Sequence, residues 1–113
     1  MHDQEQSLLQ LLSYAMLQSA RPEKAAVLMA ALDRVRPGQS RVLRTLALAQ
    51  VRAGKPERAL ATLDRLAMAG GVDAAFHLLR AQSLGALQRT EEASLAMNAY
   101  VHLRAEARQG ESA

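Results

Sequence analysis

Three stretches decide the fold: SARPEKAAVLM (residues 19–29), RAGKPERALATL (52–63) and ALQRTEEASLAM (86–97). They superimpose at one constant offset, which carries Arg21 onto Lys55 and Lys55 onto Arg89. Pro22, Pro56 and Thr90 follow in register, then Glu23, Glu57 and Glu91, then Ala25, Ala59 and Ala93. Met29, Leu63 and Met97 match next, and after them Leu32, Leu66 and Tyr100. Proline at a first helical position loses no needed N–H, so Pro22 and Pro56 predict helix starts. Thr90 is expected to cap its helix from outside. The glutamates favour the positive end of a helix dipole. The alanines predict a close approach of two helices, and the Met and Leu one turn on predict packing between units.

Outward from these segments lie helix stops. Pro37-Gly38 ends one helix and Ser40 is expected to cap the next. Gly70-Gly71 ends another, with Asp73 as the following cap. Asp3 and Gln6 have capping-box spacing. The pattern predicts six helices, at about 5–19, 22–35, 40–53, 56–68, 73–87 and 90–108. The chain reads as one domain, 1–113, with repeats at about 5–37, 40–71 and 73–108 and a flexible tail over 109–113.

Composition agrees. Half of the 113 residues are hydrophobic, which calls for a packed fold rather than disorder. The only aromatic residues are Tyr14, Phe76 and Tyr100, so Leu, Ala, Val and Met must build the core. Ala and Leu are strong helix formers. With no cysteine there is no disulfide framework and no thiolate metal site, which fits a reducing compartment. The start MHDQEQSLLQ does not read as a signal peptide, and no apolar run reaches the roughly 18 residues of a membrane span. The expectation is a cytoplasmic protein with no membrane insertion. Fourteen basic residues against 11 acidic ones give a net charge of +3, but the signs are interspersed. That reads as a solvated surface rather than a nucleic-acid footprint.

This period, about 34 residues with two helices per unit, resembles the tetratricopeptide repeat over nearly the whole chain. Leu9, Leu12, Leu43 and Leu46 match the family's large apolar sites in the first helix of a repeat, and Ser13, Ala47 and Ala81 its small site. Gly54 matches the turn glycine and Pro37 the closing proline. In repeat three His77 and Arg80 replace the two large apolar residues, so Phe76, Leu78 and Leu79 are expected to take over. The resemblance implies an all-α fold, three helix-turn-helix repeats stacked as a short right-handed solenoid.

Such a solenoid presents a concave face made by the first helix of each pair. The resemblance places Gln10, Tyr14, Leu17, Gln18, Arg41, Arg44, Leu48, Val51, Arg52, Leu78 and Gln82 there. The centre is apolar, through Tyr14, Leu48, Val51 and Leu78, and one flank is basic, through Arg41, Arg44 and Arg52. This suits an amphipathic helix or extended peptide bearing acidic residues, although arginines also simply solubilise a helix. In the last helix Ala93, Met97, Tyr100 and Leu103 are expected to face inward, with Leu95 and Val101 off that stripe. Solenoids normally end in a polar cap, so exposed apolar surface, covered by a partner or by self-association, is expected here.

Catalytic motifs are not apparent. His2, His77 and His102 form no ligand cluster, and Gly54-Lys55 lacks the spacing of a phosphate loop. No Ser-His-acid or paired-carboxylate arrangement can be argued. The expectation is a non-enzyme with no catalytic, cofactor or metal site.

The segments LLSYAMLQSARPEKAAVLMAALDRVRP (11–37) and RTLALAQVRAGKPERALATL (44–63) resemble the small tetratricopeptide chaperones of bacterial type III secretion, of the YscY (SctY) class. FHLLRAQSLGALQRTEEA (76–93) follows the register more loosely. The resemblance implies a cytosolic virulence-associated chaperone, its groove holding a small secreted helical protein of the YscX (SctX) type, acting with the export-gate protein. Siblings are the YscG class, which binds a needle subunit, and the larger translocator chaperones. A general scaffold or a nucleic-acid-associated helical protein are the readings from other classes.

Overall fold

The computed structural model describes residues 7, 8, 10–12, 15, 16 and 21–112. Among them there is no strand. The described residues before Arg21 are helical, and five helices follow: α1 (Pro22–Val35), α2 (Ser40–Arg52), α3 (Pro56–Met68), α4 (Ala74–Ala86) and α5 (Thr90–Ser112). Consecutive helices pack on one another, and α2 also packs on α4. Three hairpins therefore stack side by side. The first joins the N-terminal helical residues to α1, the second is α2–α3, and the third is α4–α5.

The repeat is written in the backbone hydrogen bonds. Arg21, Lys55 and Arg89 donate their N–H groups to the carbonyls of Met16, Gln50 and Leu84, at 2.7, 2.9 and 2.9 Å. The carbonyls of the same three residues accept from Ala25, Ala59 and Ala93 at 3.2, 3.0 and 2.9 Å. Each turn thus closes one helix and opens the next with the same pair of bonds, once per repeat. In the second and third turns a left-handed residue stands just before the closing bond. Gly54 supplies one at φ 73°, and Gln88 holds the equivalent conformation at φ 63° despite its side chain.

Helix starts follow the sequence with two corrections. Pro22 and Pro56 open α1 and α3 as expected. Asp73 caps α4, its carboxylate accepting from the Phe76 N–H at 2.9 Å. Ser40 is not a cap: it is the first residue of α2, Gln39 precedes it, and the hydroxyl makes only a long 3.4 Å bond to the Ala69 carbonyl. Thr90 likewise lies inside α5, at the place of Pro22 and Pro56, because Arg89 is already tied back to Leu84. The expected capping box at Asp3 and Gln6 lies outside the described residues. Residues 109–112, expected in a tail, continue α5.

The core runs through the junctions between hairpins. Met29 and Leu32 of α1 meet Val42 and Leu46 of α2. Leu43, Ala47, Leu63 and Leu66 of the second hairpin meet Phe76 and Leu79 of α4. The alanines act as spacers: Ala25, Ala47 and Ala59 are fully buried. Phe76 and Leu79 do replace His77 and Arg80 in the packing, while Leu78 is only half-buried. The inward stripe of α5 is corrected at one position. Ala96 is its buried residue, whereas Met97 is 39% exposed and Ala93, Tyr100 and Leu103 are half-buried. Leu12, expected at a large apolar site, is 48% exposed, since no hairpin precedes it among the described residues.

Two ion pairs tie neighbouring hairpins. Asp33 of α1 accepts from both terminal nitrogens of Arg65 of α3, at 2.6 and 3.0 Å, and from the Gly38 N–H at 3.1 Å. The Arg65 hydrogen bonds hold the Asp33 carboxyl below its ordinary 3.8; burial opposes them, and the Gly38 bond and the Arg65 charge reinforce them. Arg44 of α2 pairs with Asp73 at 3.0 Å.

Candidate protein-binding face

The face is set by α2 and α4. In α2, Val42, Leu43, Leu46, Ala47 and Ala49 turn into the core, which leaves Arg41, Arg44, Leu48, Val51 and Arg52 along the other side. Arg41 and Arg52 are exposed and, among the described residues, make no ion pair. Arg44 is half-buried and already engaged by Asp73, with a further long contact to the Gly71 carbonyl at 3.5 Å. Its Nε is buried without a hydrogen-bond partner among the described residues. One of the three arginines of the basic flank is thus occupied in joining hairpins two and three.

The apolar centre is shared with the core. Leu48 and Val51 are half-buried and pack against the Leu43–Leu63–Phe76 cluster. Leu48 also touches the smaller group of Ala25 and Ala49, beside Met16. Leu78 is half-buried and Gln82 exposed on α4. Gln10 and Arg41 come together in a cleft of about 460 Å³ that Ser7, Leu11 and Thr45 complete. A neighbouring cleft of about 410 Å³ adds Arg36, Gln39, Ser40 and Val42. Tyr14, Leu17 and Gln18 lie outside the described residues.

No group of three metal-ligating side chains occurs among the described residues. Nor is any described helix long and apolar enough to cross a membrane. His77 is half-buried with its ring edge against Phe76, the centroids 5.2 Å apart and the planes at 84°. The arrangement offers shape, apolar surface and positive charge, which is the equipment of a binding face.

The repeated turn bonds and stacked hairpins agree with comparison against known families, where the tetratricopeptide repeat matches residues 16–83. The chain belongs to the tetratricopeptide-repeat family. A search of curated proteins found no match. Tetratricopeptide repeats are protein-interaction scaffolds, typically non-catalytic, and the match spans the junction between hairpins one and two and most of that with α4.

Sequence reasoning missed the Asp33–Arg65 pair. Its members stand 32 residues apart, off the repeat period, and the equivalents of Asp33 are Ala67 and Val101. Nothing repeated marks it.

Proposed function

We propose that this tetratricopeptide-repeat protein is a cytosolic chaperone that holds an amphipathic helix of a small partner against α2 and α4. The observation that carries this reading is the combined face of Leu48, Val51 and Leu78, half-buried and apolar, flanked by the exposed Arg41 and Arg52. An apolar strip with cations beside it receives a helix whose own strip is bordered by carboxylates. The resemblance of segments 11–37 and 44–63 to YscY-class chaperones supports a place in type III secretion, with a YscX-type secreted protein as the partner and the export-gate protein as the site of action. A general adaptor outside secretion is the second reading. The departure of His77 and Arg80 from the repeat pattern favours it.

Co-purification of the full chain followed by mass spectrometry tests both. A small helical secretion substrate recovered at 1:1 supports the chaperone; a binding partner of another kind supports the adaptor. Arg41→Glu combined with Arg52→Glu is the clean probe of the face, because both side chains are exposed. We expect partner affinity to fall about tenfold or more with unchanged thermal unfolding. Undiminished binding in this variant and in Tyr14→Glu would remove the face as the site. Leu48→Glu is less clean, since Leu48 packs on two buried clusters.

A further inference from the structure

Among the described residues the two ends of the solenoid are open in complementary ways. Inside the molecule each junction has a receiving surface and an inserted helix. The receiving surface of hairpin two is Leu43, Ala47, Leu63 and Leu66, and α4 inserts Phe76 and Leu79 into it. Hairpin one receives through Met29 and Leu32, and α2 inserts Val42 and Leu46.

Carried on by one repeat, the receiving surface of hairpin three is His77, Ala81, Met97 and Tyr100. The difference in burial is direct. Leu63 and Met29 are fully buried, but Met97 is 39% exposed. Leu66 is fully buried and Leu32 nearly so, but Tyr100 is only half-buried. Val101, beside them, is 56% exposed. No described residue fills this slot: α5 continues to Ser112, past the point equivalent to the ends of α1 at Val35 and α3 at Met68.

At the other end the inserting positions are open. Leu8 stands at the register of Val42 and Phe76, and Leu11 at that of Thr45 and Leu79. Leu8 is 67% and Leu11 69% exposed, whereas Val42, Phe76 and Leu79 are 4–6% exposed. Leu12, at the register of Leu46, adds a third open leucine.

We propose that the N-terminal helical face of one copy, through Leu8 and Leu11, docks into the Met97–Tyr100 slot of a second copy and continues the solenoid from chain to chain. The occupant follows from continuity: this slot repeats the receiving surface of the internal junctions, and the leucine face repeats their insert. A contact of this kind is heterologous, so it leaves one open end of each type and propagates instead of stopping at a symmetric dimer. It adjoins the face of α2 and α4 proposed to bind a partner only at the cleft where Leu11 meets Arg41.

The test is light scattering and sedimentation of the full chain over a wide concentration range. We expect a mass that rises with concentration beyond that of a dimer. Leu8→Glu with Leu11→Glu, and separately Met97→Glu, should each weaken association about thirtyfold, the effect of losing an interface hot spot. Mixed 1:1, these two variants should form a heterodimer that grows no further, because one intact leucine face meets one intact slot. Should Met97→Glu lower helicity, Val101→Glu reads the same face from an open position. Leu95→Glu, 69% exposed and off the slot, should leave association unchanged, as should Arg52→Glu alone. A wild-type chain that stays monomeric overturns the proposal. So does a single-face variant that associates as tightly as the wild type, a mixture that does not pair, or equal loss in Leu95→Glu or in Arg52→Glu.

Discussion

Hairpin two and hairpin three share their spacing and turn bonds, yet they bury different faces. In α2 the buried set is Val42, Leu43, Leu46, Ala47 and Ala49; in α4 it is Phe76, Leu79, Ala81, Ser83 and Leu84. Moved back by one repeat, the second set falls on Val42, Thr45, Ala47, Ala49 and Gln50. Thr45 and Gln50 are new to it, although Lys55 and Arg89 close their turns on Gln50 and Leu84 with equal 2.9 Å bonds. The comparison teaches that the backbone turn sets the period, while local side chains choose which stripe is sealed. Among the described residues hairpin two is covered on both sides and hairpin three on one, so equal substitutions should weigh unequally.

The largest difference is expected at the spacer alanine. Ala59 is fully buried on α3, so Ala59→Arg should cost about 4 kcal/mol or more and unfold the protein. Ala93→Arg, at the equivalent half-buried site, should cost about 1 kcal/mol. Urea unfolding followed by circular dichroism compares them; equal losses would break the contrast between the hairpins. Next, Leu63→Ala should cost about 3 kcal/mol through the cavity it leaves in a fully packed junction. Met97→Ala should cost under about 1 kcal/mol in dilute monomer, where its slot is open.

The tie between hairpins one and two has no counterpart at the equivalent positions further along, Ala67 and Val101. Asp33→Asn should cost about 1.5 kcal/mol near neutral pH. The figure is modest because Arg65 keeps 46% of its side chain exposed. Asp33 is held below 3.8, so its contribution is complete above that value and fades as the pH falls through the lowered native value. The variant should therefore show a shallower acid limb in a stability–pH series, and an unchanged limb would remove Asp33 as its source. The smallest effect belongs to the turns. Gln88→Gly should stabilise by about 0.5 kcal/mol by relieving a left-handed non-glycine residue, and Gly54→Gln should cost about 1 kcal/mol. Thermal midpoints read both.

Much of this fold is legible in the sequence because its signals are local. Pro22, Pro56, Asp73 and the glycine turns act within a few residues, and the structure places α1 and α3 at their expected bounds. What escaped depends on neighbours distant in sequence. Ser40 is a good cap by type, yet the Gln39 carbonyl accepts the first helical bond, from the Leu43 N–H, and the Ser40 hydroxyl turns to the distant Ala69 carbonyl. Arg44 has the residue type and spacing of a groove cation, and only the position of α4 shows that Asp73 engages it. Ala96 and Met97 are adjacent, and the choice between them turned on a further hairpin being absent beside α5 among the described residues. For the candidate face, the sequence named the side chains but not how far Leu48 and Val51 are drawn into the core.

Gly71 sits so close to Leu66 that a Cβ there would lie 2.3 Å from Leu66 Cδ1, and its N–H donates to the Leu66 carbonyl at 2.9 Å. Leu66 is also a fully buried member of the junction that receives Phe76. The connecting loop is thereby fastened to the residue that seals the core, and it cannot swing away while that seal holds. A protease aimed at Gly70-Gly71 should find its site only when the surrounding junction comes apart, so the cleavage rate should track cooperative unfolding instead of local loop motion.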